Sequence, residues 1–171
     1  MKIAIVYATV GGTTRECAEL LKKELKNHDV ELFEIGKSEP ALSDFELVVV
    51  GFPIIMGRAM KSARNYIKAN REVLKSMGAA YYICCGFVDC FDEFAEKCIP
   101  AELRECAVEV SCLGGSLDPH RFKGFNKFLV KAVRSEILGG GENADERKDM
   151  CLPTIMEENI AQLADKIKNC R

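Results

Sequence analysis

The stretch from Ile3 to Leu21, IAIVYATVGGTTRECAELL, limits what the rest of the chain can become. Ile3, Ile5 and Val6 form a short β-branched run ending at Tyr7, as in a strand buried on both faces of a parallel sheet. Thr9-Val10-Gly11-Gly12-Thr13-Thr14 then turns, and Cys17, Leu20, Leu21 and Leu25 recur at helical spacing beyond it. Thr13 or Thr14 is positioned to cap that helix, with Glu16 in its first turn. Backbone N–H groups, threonine hydroxyls and the positive end of the helix dipole all converge on the turn, so an anion belongs there. The segment reads as a phosphate cradle.

Downstream, the pattern repeats. Val30 to Ile35 alternates apolar and acidic residues, as an edge strand with one solvated face does. Phe45 to Gly51 is a continuous apolar run of central-strand type, entering the loop Phe52-Pro53-Ile54-Ile55-Met56-Gly57 before a helix near Ala59 to Asn70. Ala79 to Cys85 gives another buried strand, followed by Gly86-Phe87-Val88-Asp89 and a helix from Cys90 to about Ile99. Cys106 to Leu113 is the fifth strand and runs into Gly114 and Gly115. Strands alternating with helices imply right-handed crossovers and a parallel sheet covered on both faces. Ligands of such sheets sit at the carboxyl ends of the strands, where these loops lie. Phe122 to Leu138 and Thr154 to Lys168 read as the two remaining helices, separated by Gly139-Gly140-Gly141.

A chain of 171 residues is expected to form one domain, with residues of about 115–150 inserted after the fifth strand. Its 24 basic and 26 acidic residues leave a net charge of −2, which gives no reason to expect a nucleic-acid partner. The chain starts directly in a strand without a signal-peptide pattern, and no apolar run reaches the roughly 18 residues of a spanning helix. A soluble, cytoplasmic protein is expected. The nine cysteines are odd in number, scattered and without a C-x-x-C pair, which argues against a disulfide framework and against a metal site.

The spacing at Ile5, Val6, Tyr7, Thr9, Gly12, Thr14, Ala18 and Leu21 resembles the signature of the flavodoxin-type FMN-binding domains. The resemblance implies a three-layer α/β sandwich with a five-stranded parallel sheet in the order 2-1-3-4-5, and FMN as cofactor. It implies further that Thr9, Val10, Gly11, Gly12, Thr13 and Thr14 hold the phosphate. The flavin ring would lie between the loops at Pro53, Ile54, Ile55, Met56 and Gly57 and at Cys85, Gly86, Phe87 and Phe91. Flavodoxins commonly stack Trp and Tyr on the ring, whereas this chain has no Trp and offers Met56 with Phe87 or Phe91.

Over nearly its whole length the layout is similar to a narrower family, the menaquinone-dependent protoporphyrinogen oxidases. Ile54 to Gly57, a basic aromatic insertion, and Gly140, Gly141, Asp145 and Arg147 carry that likeness. It implies an oxidoreductase that passes electrons to a quinone-type acceptor, with Arg58, His120 and Arg121 as candidate contacts to substrate carboxylates. The alternative is an electron carrier that docks to protein redox partners and has no small substrate. Carrier flavodoxins are usually strongly acidic, and this chain is not.

Between Asp118 and Glu136 lie Arg121, Lys123, Lys127, Lys131 and Arg134 with no acid among them. Phe122, Phe125, Phe128, Leu129, Ala132 and Val133 fall at spacings of three and four, giving a helix with one apolar and one cationic face. It is either a surface helix packed on the sheet or, over residues 121–134, a peripheral contact to the inner face of a membrane. Cys98-x5-Arg104 has the spacing of a cysteine-phosphatase loop, but the intervening residues contain no glycine and include Glu102, which opposes an anionic substrate. Cys84, Cys85 and Cys90 lie beside the expected ring position, as buried structural thiols or as redox-active ones.

Overall fold

In the computed structural model, which describes residues 1–137 and 153–170, strands and helices alternate through most of the chain. The order is β1 (Lys2–Tyr7), α1 (Thr13–Glu24), β2 (Asp29–Glu34), β3 (Leu47–Ile55), β4 (Arg58–Ala59), α2 (Lys61–Ala69), α3 (Arg71–Met77) and β5 (Ala80–Cys84). It continues with α4 (Phe91–Cys98), α5 (Ala101–Glu105), β6 (Val110–Cys112), α6 (Gly124–Ile137) and α7 (Glu157–Lys168). The parallel strands lie in the order β2-β1-β3-β5-β6, with β4 folded back antiparallel on the end of β3. Leaving aside the two-residue β4, this is the expected order 2-1-3-4-5. The direction of winding reverses between β1 and β3, so the carboxyl ends of those strands open on a switch point.

Strand alternation divides the core. Ala4, Val6, Val48, Val50, Tyr81 and Ile83 point to the face covered by α2 to α5 through Ala63, Tyr66, Ile67, Leu74, Phe94 and Leu103. Ile3, Ile5, Tyr7, Val49, Ala80 and Tyr82 point to the other face, where α1 brings Cys17, Ala18 and Leu21 and α7 brings Ile160, Leu163 and Ala164. The unbroken apolar runs in β1, β3 and β5 follow from this burial on both sides. The β6 edge is covered by the segment entering α7. Gly114 bridges Ile155, Gly115 N–H donates to the Thr154 carbonyl at 3.2 Å, and Asn159 Nδ2 donates to the Cys112 carbonyl at 2.7 Å.

Several boundaries differ from those the sequence suggests. β3 does not stop at Gly51 but runs nine residues through Pro53 to Ile55, so most of the expected loop is strand. Met56 and Gly57 then form a two-residue hairpin turn, both left-handed with φ of 51° and 72°. The helix expected from Ala59 begins at Lys61. A further helix, α3, follows Asn70, whose side-chain amide donates to the Tyr66 carbonyl at 3.0 Å and ends α2. Cys106 to Leu113 is strand only at Val110–Cys112, and α5 occupies part of the segment before it. Gly139 to Gly141, Asp145, Arg147 and Cys151 lie outside the described residues.

Candidate functional site

At the carboxyl ends of β1, β3 and β5 the chain leaves a cavity of about 230 Å³. Its first wall is the loop between β1 and α1. Gly12 takes a left-handed φ of 85° and is itself the residue that caps α1, so neither Thr13 nor Thr14 caps the helix with its side chain. The turn is held instead by Thr9, whose Oγ1 accepts the Gly12 N–H at 3.0 Å. This frees the Thr13 hydroxyl, which is buried without a hydrogen-bond partner among the described residues. An unpartnered buried hydroxyl beside an uncapped helix start is a donor set for an anion.

The second wall is the β3–β4 hairpin, from Pro53 to Gly57, and the third is the turn after β5. Met56 at the hairpin tip is 74% exposed and Phe87 is 50% exposed, so both present apolar surface at the mouth. All the candidate cofactor contacts named from sequence line this cavity except Gly12, whose neighbours on either side do, and Phe91. Phe91 begins α4 and packs against the core on the α2 to α5 face.

The fourth wall went unrecognised in the sequence. Gly115, Ser116 and Leu117 follow β6, and Phe122, Asn126, Leu129, Val130 and Val133 approach from the start and inner face of α6. Phe122 lies so close to the phosphate loop that a Cβ on Gly11 would stand 2.5 Å from its ring. The signal was present in the spacing 126-129-130-133, a narrower helical stripe than the one read from phenylalanines. Phe125 and Phe128, read from sequence as part of one apolar face with Leu129 and Val133, are each 69% exposed and lie off this stripe.

No charged side chain among the described residues lines the cavity. Arg58 is exposed and lines a neighbouring groove. His120 sits exposed on a short turn, its backbone N–H donating to Asp118 Oδ1 at 2.9 Å. Arg121 Nη1 meets Glu16 Oε2 at 2.6 Å, which raises the arginine pKa and fastens the segment after β6 to the first turn of α1. None of these three candidates therefore faces the cavity.

Cys84 and Cys85 form part of the cavity wall and point to opposite faces of the sheet, each meeting a second thiol. Cys84 Sγ lies 3.7 Å from Cys17 Sγ, and Cys85 Sγ lies 3.6 Å from Cys112 Sγ. The hydrogen bond with Cys17 and full burial push the Cys84 thiol well up, whereas the Cys85 hydrogen bond lowers Cys112 to about 7. Cys90 is a partly buried free thiol and does not line the cavity. Cys98 accepts the Ala59 N–H at 3.2 Å, Arg104 donates to the Ile99 carbonyl at 3.2 Å, and Glu102 pairs with Arg71. That constellation is a helix junction, not a phosphatase loop. Among the described residues no three His, Cys, Asp or Glu side chains gather to hold a metal, and no helix is long and apolar enough to cross a membrane.

The family described as flavodoxin domain matches residues 4–144. The protoporphyrinogen IX dehydrogenase (quinone) of Escherichia coli strain K12 is 28% identical, over 97% of this chain and 98% of that protein. Among solved structures, the Fusobacterium nucleatum flavodoxin bound to flavin mononucleotide superposes with a TM-score of 0.52 at 17% identity, covering 98% of this chain and 96% of that one. The two-electron reduced Megasphaera elsdenii flavodoxin superposes with a TM-score of 0.53 at 14% identity, covering 64% of this chain and 84% of that one. These structural likenesses speak to the fold. With the β1 loop, the sheet order and the matched residues in agreement, the chain belongs to the flavodoxin domain family.

Proposed function

We propose that this protein is an FMN-dependent oxidoreductase that takes electrons from a reduced substrate of the porphyrinogen class and passes them to a quinone-type acceptor. The observation that carries this reading is the apolar cavity, without a charged side chain among the described residues, at a helix start that no side chain caps and beside a Thr13 hydroxyl with no partner among them. That combination suits a molecule with a phosphate at one end and a flat aromatic system at the other. The near full-length similarity to protoporphyrinogen IX dehydrogenase supports the same reading.

The residues present fit the cofactor. Thr9, Thr13, Thr14 and the N–H groups of Val10, Gly11, Thr13 and Thr14 would bind the phosphate, as donors at a helix N-terminus do. Ile54 to Gly57 and Cys85 to Phe87 would flank the ring, with Met56 and Phe87 in place of the usual tryptophan and tyrosine. When bound, FMN supplies the redox chemistry, accepting electrons and releasing them to a second partner. The chain's part is to orient the ring, to exclude water with Phe94, Leu129 and Val130, and to leave the mouth open at Met56 and Phe87.

Purified protein is expected to quench FMN fluorescence stoichiometrically and to oxidise protoporphyrinogen in the presence of a menaquinone analogue. Absence of FMN binding overturns the redox reading altogether. Binding without porphyrinogen oxidation leaves the electron carrier as the better account.

The acceptor is met at a membrane surface in this reading. The exposed Phe125 and Phe128, with Lys127 and Lys131 on the same helix and Lys123 just before it, favour peripheral contact with an anionic bilayer over a purely structural role for α6.

A further inference from the structure

The hairpin that walls the cavity also walls a second depression, an open groove of about 510 Å³. It is lined by the apolar Ile55, Met56, Ala59 and Met60 and by the cationic Arg58, Lys61 and Arg64. Only Met60 separates β4 from α2, so the three cations fall at positions i, i+3 and i+6, and all three line the groove. All three are exposed, and none forms an ion pair with a described residue. Other arginines do find acids: Arg15 pairs with Glu19, Arg71 with Glu102 and Arg121 with Glu16. Three cations that line one groove and have no ion-pair partner among the described residues repel each other, and an anion bearing more than one charge relieves that repulsion.

Met56 gives the groove its position. It is exposed, apolar and held left-handed at φ 51°, a conformation that non-glycine residues rarely adopt. Ile55 and Met56 line both the groove and the main cavity, so an apolar body resting on them lies beside the cavity mouth. A ligand made only of charge would leave the apolar lining unused, and one without charge would leave the cations unused.

We propose that this groove is the substrate subsite, taking an apolar macrocycle that bears carboxylates, with Arg58, Lys61 and Arg64 holding the carboxylates and Met56 against the ring. The assignment rests on the porphyrinogen reading above for the identity of the ring. Carboxylates accept from arginine in bidentate fashion and from lysine as from a point charge, which suits the two arginines and one lysine of the groove.

The test uses the full chain and protoporphyrin IX, a fluorescent dicarboxylic macrocycle, with its dimethyl ester as the uncharged counterpart. Wild-type protein is expected to bind the diacid about tenfold more tightly than the ester. The combined variant Arg58→Glu, Lys61→Glu, Arg64→Glu is expected to lose that preference, with diacid affinity falling about tenfold and ester affinity unchanged. Equal binding of diacid and ester by wild type, or an unaltered diacid affinity in the variant, overturns the proposal. Circular dichroism of the variant and three single changes to Gln, each expected to weaken diacid binding about two- to fourfold, guard against misfolding as the cause. FMN titration of the same proteins separates this proposal from the one on which it rests. None of the three residues lines the main cavity, so the variant is expected to bind FMN as wild type does. Failure of wild type to bind FMN would count against the redox reading, while the diacid–ester comparison would still decide the groove.

Discussion

The Tyr82 hydroxyl donates a 2.9 Å hydrogen bond to the Thr14 carbonyl, tying the middle of β5 to the first turn of α1. β3 lies between β5 and β1, and Tyr82 reaches across it over Gly51, its partner in the strand register. A Cβ at Gly51 would overlap the tyrosine ring, so glycine there is what lets the contact form. Tyr82→Phe is expected to lower unfolding free energy by about 1 kcal/mol through loss of one buried hydrogen bond. Gly51→Ala is expected to cost about 1–3 kcal/mol by overpacking, and Tyr82→Phe does not rescue it because the collision is with the ring. Urea unfolding of the two single variants and the double variant checks both statements.

Burial of tyrosines gives the fold an alkaline limit. Burial pushes the Tyr66 phenol up to about 12, the Tyr81 phenol higher still, and the fully buried Tyr82 phenol well above its ordinary value. The folded state keeps these phenols protonated where the unfolded chain releases their protons near 10. Their contribution is therefore fully present below pH 10 and is lost as pH rises through the folded values. Above pH 10 stability is expected to fall by up to about 1.4 kcal/mol per pH unit for each phenol that remains protonated. Denaturation midpoints at pH 9, 10 and 11 measure the slope, and Tyr82→Phe is expected to reduce it. A slope unchanged in Tyr82→Phe would show that this phenol is not held neutral.

The contact between Gly11 and Phe122 is the second packing test. Gly11→Ala places a methyl 2.5 Å from the Phe122 ring, forcing apart the phosphate loop and the wall that follows β6. FMN binding is expected to weaken roughly tenfold, and Phe122→Ala in the same protein to restore part of it, with a coupling of at least about 0.5 kcal/mol. Gly12→Ala behaves differently. No atom stands within 4 Å of that Cβ, but φ is 85°, so the cost is about 1 kcal/mol of backbone strain and is indifferent to Phe122. Equal responses of Gly11→Ala and Gly12→Ala to loss of Phe122 would remove the ring from this account.

Arg121 and Glu16 join the same two walls by charge. Both side chains are partly exposed, at 35% and 44%, so solvent screens their attraction. A double-mutant cycle with Arg121→Gln and Glu16→Gln is expected to give a coupling of about 0.2–1 kcal/mol that fades in high salt. A larger, salt-independent coupling would mean that the pair does more than fasten a surface segment.

The parts of the fold legible in the sequence were those decided by burial on both faces. β1, β3 and β5 have unbroken apolar runs, and the spacing of Thr9, Gly12 and Thr14 fixed the loop after β1. The parts decided by tertiary contact were not legible. Pro53 ordinarily ends a strand run, yet β3 continues past it because Pro53 still pairs with Cys84 and its carbonyl accepts the Met60 N–H. The threonines look like caps by residue type, and the left-handed Gly12 makes them unnecessary. The inner stripe of α6 was obscured because Phe125 and Phe128, the bulkiest apolar residues of the helix, are exposed.

That exposure supplies the last prediction. Exposed phenylalanines at i and i+3 on a helix that carries Lys127 and Lys131 and is preceded by Lys123 are costly in water and useful at a bilayer surface. The full chain is expected to co-sediment with vesicles containing phosphatidylglycerol and much less with phosphatidylcholine alone. Each phenylalanine inserted into the interface contributes about 1–2 kcal/mol, so Phe125→Ser with Phe128→Ser should weaken partitioning by tenfold or more. Each lysine near an anionic surface contributes about 1 kcal/mol, so Lys123→Glu, Lys127→Glu and Lys131→Glu together should abolish the preference for anionic vesicles while sparing FMN binding. Binding that survives both sets of changes would exclude α6 as the membrane contact. Loss in the lysine variant alone would mark the contact as electrostatic attraction without insertion, and would leave the two phenylalanines needing a protein partner to cover them.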